Sequence, residues 1–372
     1  MPHETRVFIL GAGASKTENA PLTWEFLYES FLLAKQAPQH PLGKAWKKLG
    51  KLLDLLYGTH SFFASFGGHN RYAEQLKTIN LEEVFTLIET AIQRKEGFSS
   101  EFTPKTLEQV RENLIFIIGK TLSEKLQGAG HSNKHLSFVR NHVESDSQAK
   151  NVIVSFNYDI LIDNVLEDER TNGKGSYVYG GAFGNYVDPD GSRSLGPYLF
   201  EGENPILLLK PHGSLNWLLC PTCGEVTCFL YRKIFDSIYE PHGKGFHNNP
   251  LLTCTRDNTR LTQTIIPPTF QKDFSQRIYQ DIWNLFRDSV TDADHIFLLG
   301  YSLPEADLQT RYSLKHALAR NRKRSLKVTI VNKVEQRHDQ DVYARLKSFF
   351  GSRYKYEEVN GGFEEFALEA ET

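Results

Sequence analysis

The chain has 372 residues, 40% hydrophobic and 24% charged, with a formal net charge of −2. That is the composition of a globular protein with room for about two or three domains. The balanced charge gives no electrostatic footprint for nucleic acid or an anionic membrane, and no apolar stretch approaches the ~18 residues of a membrane span. No signal-peptide pattern precedes the first apolar run, so a cytoplasmic location is expected, where cysteines stay reduced.

Five short apolar runs read as buried strands: Val7–Leu10, Val152–Val154, Ile206–Leu209, Ile296–Leu299 and Val328–Val331. None alternates cleanly, which suits strands covered on both faces of a parallel sheet. Each stops abruptly at glycine or small polar residues. In an open α/β sheet, ligands bind beyond the carboxyl ends of the strands, so all five ends are expected along one edge. The fold class is therefore α/β. A Rossmann-like parallel sheet is expected from residues 1–22, 150–219 and 260–372, with a helical insertion over 23–149 and a small cysteine-rich module over 220–259.

In chain order, the first run enters Gly11-Ala12-Gly13-Ala14-Ser15. Gly11 permits a tight turn, Gly13 lets the backbone approach a pyrophosphate, and Ser15 adds a hydroxyl donor. Lys16 stands where a G-x-G-x-x-G fingerprint has its third glycine, so a ligand-free turn is an equal reading. Helical signals follow. Asn80 and Glu83 form a capping-box pair ahead of the stripe Leu81, Val84, Phe85, Ile88, Ala91 and Ile92, and a second stripe runs from Leu107 to Ile118. Both read as core faces. His135, in this helical stretch, reads as a bystander.

The second run ends in Ser155-Phe156-Asn157-Tyr158-Asp159. Asn157 and Asp159 face the same way if the chain stays extended; an Asx turn capping a helix is the competing reading. Residues 173–204, rich in Gly, Tyr and Asp, read as loops over the site. The third run ends in Lys210-Pro211-His212-Gly213-Ser214, and of thirteen histidines His212 is the one whose position suggests chemistry. Later come Gly300-Tyr301-Ser302 and Asn332. The basic run Arg320 to Arg324 reads as a solvated turn.

Cys220, Cys223, Cys228 and Cys254 are the chain's only cysteines and fall within 35 residues. Cys220-Pro221-Thr222-Cys223-Gly224 has the C-x-x-C-G form of a zinc knuckle. A structural zinc on the four cysteines is expected over unliganded thiols, with His242 or His247 as substitutes for one ligand. Four thiolates would leave no open position for catalysis.

The ordered series Gly-Ala-Gly-x-Ser, Asn-x-Asp, His-Gly, Gly-x-Ser and Val-Asn, spanning residues 7 to 332, resembles the sirtuin (silent information regulator) family. The resemblance implies an NAD site. Gly11, Ala12, Gly13 and Ser15 would hold the phosphates and nearby ribose, Asn157 and Asp159 would face the nicotinamide end, and His212 would be the catalytic base. Gly300, Ser302 and Asn332 would line the adenosine side. Sirtuins commonly carry two C-x-x-C pairs, so the second pair is irregular here. Protein-deacetylating members carry Gly-Ile-Pro-x-Phe-Arg where this chain has Ala20-Pro21-Leu22-Thr23-Trp24, and Thr-Gln where it has Ser155-Phe156. The long helical stretch and the segment Gly300–Asp307 are closer to the bacterial sirtuin-like branch that hydrolyses NAD in antiviral defence. The function so implied is NAD hydrolysis to ADP-ribose and nicotinamide by a restrained enzyme. Its control would come from homo-oligomerisation, a ring-forming ATPase or another defence-system partner. A protein deacylase or ADP-ribosyltransferase, and a non-catalytic NAD or ADP-ribose sensor, are the alternatives.

Overall fold

The computed structural model describes residues 4–59, 71–126, 133–146, 148–188, 190–195, 204–230, 250–270, 272–305, 307–323, 325–333 and 342–369. His242 and His247 lie outside the described residues, as does most of the stretch between Cys228 and Cys254.

Strands are numbered along the chain. Seven of them form one wholly parallel sheet: β1 (Thr5–Leu10), β2 (Lys150–Ser155), β3 (Tyr177–Tyr179), β6 (Ile206–Leu209), β10 (His295–Leu299), β11 (Lys327–Val331) and β12 (Lys355–Val359). Their order is β12-β11-β10-β1-β2-β6-β3, a Rossmann-like arrangement. All six residues of β1 are buried, as a central strand covered on both faces requires. The five anticipated strands are all present in this sheet. The two unanticipated ones are its edges, where burial on both faces is not needed: β12 is Lys-Tyr-Glu-Glu-Val, with no apolar run to read. From β1 the chain goes to β2 on one side, and β10 lies against β1 on the other. The switch point of the sheet is therefore between β1 and β10.

A second, mixed sheet runs β5-β4-β8-β7-β9. It is built from β4 (Asn185–Val187), β5 (Arg193–Leu195), β7 (Gly213–Leu219), β8 (Val226–Phe229) and β9 (Thr262–Ile265). The cysteines close one end of this sheet, so its strands come from both sides of residue 220. The helices α2 (Phe26–Gln36), α3 (Pro41–Tyr57), α4 (Arg71–Leu76), α5 (Leu81–Arg94) and α6 (Pro104–Lys125) follow the short α1 (Ala12–Lys16). Their apolar stripes share one core with this second sheet: Leu49, Phe85, Leu114 and Ile117 cluster with Leu215, Leu218, Phe229 and Ile265. The Asn80 side chain caps α5, accepting from the Glu82 and Glu83 amides at 2.8 and 3.3 Å.

The remaining helices are α7 (Asn133–Phe138), α8 (Leu161–Thr171), α9 (Arg277–Asp292), α10 (Leu308–Arg320), α11 (Val342–Phe350) and α12 (Gly362–Leu368). They belong with the parallel sheet, where Phe8, Ile153, Leu298 and Ile330 pack with Phe138, Ile162, Phe286, Leu314, Leu346 and Phe363. Among the described residues no helix is long and apolar enough to cross a membrane.

Candidate functional site

The carboxyl ends of β1, β2, β6, β10 and β11 share one edge because the strands are parallel. At the switch point the contacts are backbone on backbone. The Gly11 amide donates to the Leu299 carbonyl and the Gly13 amide to the Gly300 carbonyl, both at 3.0 Å. A Cβ on Gly11 would lie 2.6 Å from the Gly300 oxygen, and one on Gly13 2.8 Å from the Gly300 Cα. Gly300 has φ +59°, and a Cβ there would sit 2.4 Å from the Ala14 nitrogen. The glycines expected to make room for a pyrophosphate are thus already required by the approach of one strand-end turn to another.

Asn157 and Asp159 both reach Ser15. The Asn157 amide donates to the Gly11 carbonyl and to the Ser15 hydroxyl, each at 2.8 Å, and Ser15 Oγ donates to Asp159 Oδ2 at 2.7 Å. The other oxygen of Asp159 accepts from the Leu161 amide at 3.1 Å, opening α8, so the Asx-turn reading holds for this residue. Buried Lys210 locks the corner: its ammonium donates to the Asp159 carbonyl at 2.5 Å and to Asp163 at 2.8 Å. Beside this corner lies a small cleft of about 100 Å³. Ala12, Ser15, Asn157 and Asp159 line its sheet side, and Phe26, Leu81, Ile118 and Leu122 supply the wall from α2, α5 and α6.

His212 is buried and does not line that cleft; Phe156, which does, packs edge-on against its ring with centroids 5.0 Å apart. His212 Nε2 is sealed from solvent without a hydrogen-bond partner, 3.6 Å from Asp307 Oδ1. Asp307 is the centre of a buried cluster that sequence reading missed. The Lys272 ammonium pairs with its Oδ1, and the Tyr301 hydroxyl donates to Oδ2 at 3.0 Å. Burial pulls the imidazole down to about 4, with Asp307 opposing and Lys272 assisting, so the ring is neutral at pH 7. Burial alone would raise Asp307, yet His212, Lys272 and Tyr301 together hold it below the usual carboxylate range. Asp307 stands at the end of the Gly300–Asp307 segment; Lys272, alone between Pro268 and Phe274, carries no sequence signal.

Ser302 and Asn332 lie across the switch point from Asn157 and do not line the cleft. Arg345 donates to the Ser302 carbonyl at 3.1 Å, and Tyr343 donates to the Asn332 carbonyl at 2.8 Å. The Asn332 side-chain nitrogen is buried without a partner.

Three of the four cysteines come together. Cys220, Cys223, Cys254 and Asp257 place one ligand atom each within 4.8 Å of one another, a set that could hold a metal ion. Cys223 and Cys254 sulfurs are 3.7 Å apart, close to the edge of a tetrahedron with ~2.3 Å Zn–S bonds. Backbone amides of Cys223 and Arg256 point at the Cys220 and Cys254 sulfurs, both at 3.4 Å. The expected fourth ligand, Cys228, is not among them. It is buried in β8 beside Asn216 and Tyr179, and burial, reinforced by Asp163, pushes its thiol well up. β8 is buried along its whole length, and Cys228 joins the core of the parallel sheet whereas Cys220 and Cys254 join the other core, so Asp257 fills the corner instead.

No protein-family profile and no curated protein sequence matches the chain. Among solved structures it is similar to Sir2 in complex with the inhibitor EX-527, 2'-O-acetyl-ADP-ribose and a deacetylated p53 peptide. The identity is 11%, 66% of this chain and 76% of that chain are covered, and the TM-score is 0.31.

Proposed function

We propose that the protein hydrolyses NAD at the bond between nicotinamide and ribose, and that it is held in check until activated. The observation that carries this reading is the junction at the switch point. Asn157, placed by β2, bonds both to the glycine turn and to Ser15, and all three border the same cleft. Nicotinamide leaves as a neutral base from a cationic glycoside, so the chemistry needs no acid; the difficulty is the oxocarbenium-like ribose left behind. Asn157 orients the ribose or an attacking water. The carboxylate of Asp159 places negative charge beneath the same corner, and neutral His212 accepts a proton from the water or a ribose hydroxyl. Gly300, Ser302 and Asn332 would meet the adenosine side.

Restraint is supported by the sealed His212 Nε2: a resting site whose base is covered must rearrange before it works. Homo-oligomerisation, or a partner such as a ring-forming ATPase of an antiviral system, would supply that rearrangement; the defence role rests on the sequence resemblance. Zinc fits the cysteine cluster, since three thiolates and one carboxylate complete a closed tetrahedral set that would brace the second sheet.

Incubating purified protein with NAD, with and without an acetyl-lysine peptide, and separating the products tests the reading. Nicotinamide and ADP-ribose are expected without peptide, rising with protein concentration if assembly is the trigger, with light scattering recorded on the same samples. Asn157→Ala should lower turnover by roughly 10²-fold. Strict peptide dependence with an O-acetyl product would establish the deacylase alternative, and binding without turnover in any assembly state the sensor.

A further inference from the structure

We propose that Asp307 is the positioning residue of His212, aligned with its Nε2 so as to stabilise the imidazolium formed when that nitrogen takes a proton, with Lys272 as its counter-ion. The geometry points to this in three steps. Nε2 is buried without a hydrogen-bond partner, so a proton taken there has no competing neighbour. That nitrogen lies 3.6 Å from a carboxylate oxygen of Asp307 in a buried setting. For a neutral ring this is an unrewarded arrangement; with a proton on Nε2 it becomes an ion pair. Finally, Asp307 is fixed from both sides, by the Tyr301 hydroxyl on Oδ2 and by Lys272 on Oδ1, so it is ionised before any proton arrives.

The groups facing His212 come from four elements. Phe156 follows β2, Lys272 and Phe274 lie between β9 and α9, Trp283 is on α9, and Asp307 follows β10. Only Lys272 and Asp307 among these are charged, and they act on the ring in opposite senses. In the proton transfer an O–H bond of water or of a ribose hydroxyl breaks, the oxygen keeps the electron pair, and an N–H bond forms at Nε2. The positive charge then rests on the ring beside Asp307. The source of that proton rests on the NAD-cleaving reading; the coupling of the three side chains does not.

The test is a titration of the His212 ring by NMR in the resting protein, without substrate, alongside NAD turnover. Lys272→Gln should move the His212 midpoint up by at least about one pH unit, as expected for loss of a like charge at this range. Asp307→Asn should move it down, and should cut kcat roughly 10²-fold while KM stays near wild type, because Asp307 is outside the cleft. Opposite shifts in the two variants support the proposal. An unmoved or lowered midpoint in Lys272→Gln overturns it, as does wild-type kcat in Asp307→Asn. If Asp307→Asn does not fold, the Lys272→Gln titration decides alone. Should the wild type fail to cleave NAD, the titration still judges the coupling, so the two readings fail separately.

Discussion

Asn157 and Asp159 stand two apart, and the structure gives them different work. Both reach Ser15, although the chain bends at Tyr158 and Asp159 and does not stay extended, and only Asn157 also holds the glycine turn; Asp159 additionally opens α8. The sequence pattern could not separate these roles because an Asx turn and a ligand-facing pair share the same residues. The cysteines show the same limit. Four in one window suggest four ligands, yet Cys228 packs into a different core from Cys220 and Cys254, a fact visible only once β8 is known to pair with β4 and β7. Elemental analysis of protein purified without added metal should find about one zinc per chain. Cys254→Ser should lose it along with thermal stability, Asp257→Ala should bind it more weakly, and Cys228→Ala should keep it. Loss of metal in Cys228→Ala would restore the four-cysteine set.

At the scale of elements, the strand ends were legible and the second sheet was not. A buried central strand needs a continuous apolar run, and its abrupt polar end marks the ligand edge, so β1, β2, β6, β10 and β11 announce themselves. The strands β4, β5 and β9 are three or four residues each, with mixed polarity; β4 and β5 form a local hairpin, but the pairings of β4 with β8 and of β9 with β7 are distant in sequence. Nothing local says that the hairpin and β9 join one sheet through β8 and β7, or that α2–α6 cover it. The turn after β10 also had a hidden requirement. Gly300 is needed for its positive φ and because the turn after β1 leaves no space for a side chain. Gly300→Ala should therefore destabilise the fold by more than about 2 kcal/mol, combining backbone strain with overpacking. Denaturant unfolding measures it, with Gly58→Ala as the contrast: that glycine ends α3 at φ +63° with nothing within 4 Å of its Cβ, so only the strain remains. Equal losses in the two variants would show that the close approach costs nothing.

For the whole molecule, the helices α2–α6 serve two surfaces at once, the core they share with the second sheet and one wall of the cleft beside the first. Folding of both halves must therefore be complete before the site exists, and global stability governs activity. That stability should depend on pH through three buried histidines in separate regions. Burial lowers His135 and His212 to about 4 and His295 to about 3, from an ordinary value of 6.5. The unfolded chain then binds protons that the fold refuses, so the sign is fixed: the contribution is whole above about pH 6.5 and is lost as pH falls toward 4. Each histidine contributes on the order of 2–3 kcal/mol across that window. Glu144 works the other way, because burial and the neighbouring Glu169 push it up to about 7, and the fold gains protons there. Burial also raises Glu82, so two carboxyls stand against three histidines, and both are only partly buried, which reduces their effect by solvent screening. Denaturant midpoints should accordingly fall between pH 7 and pH 5, and His135→Gln should flatten that slope while lowering stability at pH 7. His135, read from sequence as a bystander, lies against Phe363 with ring centroids 4.9 Å apart and is a packing residue. A midpoint that holds level or rises on acidification would mean that Glu144 and Glu82 outweigh the histidines, or that the histidines are charged inside the fold.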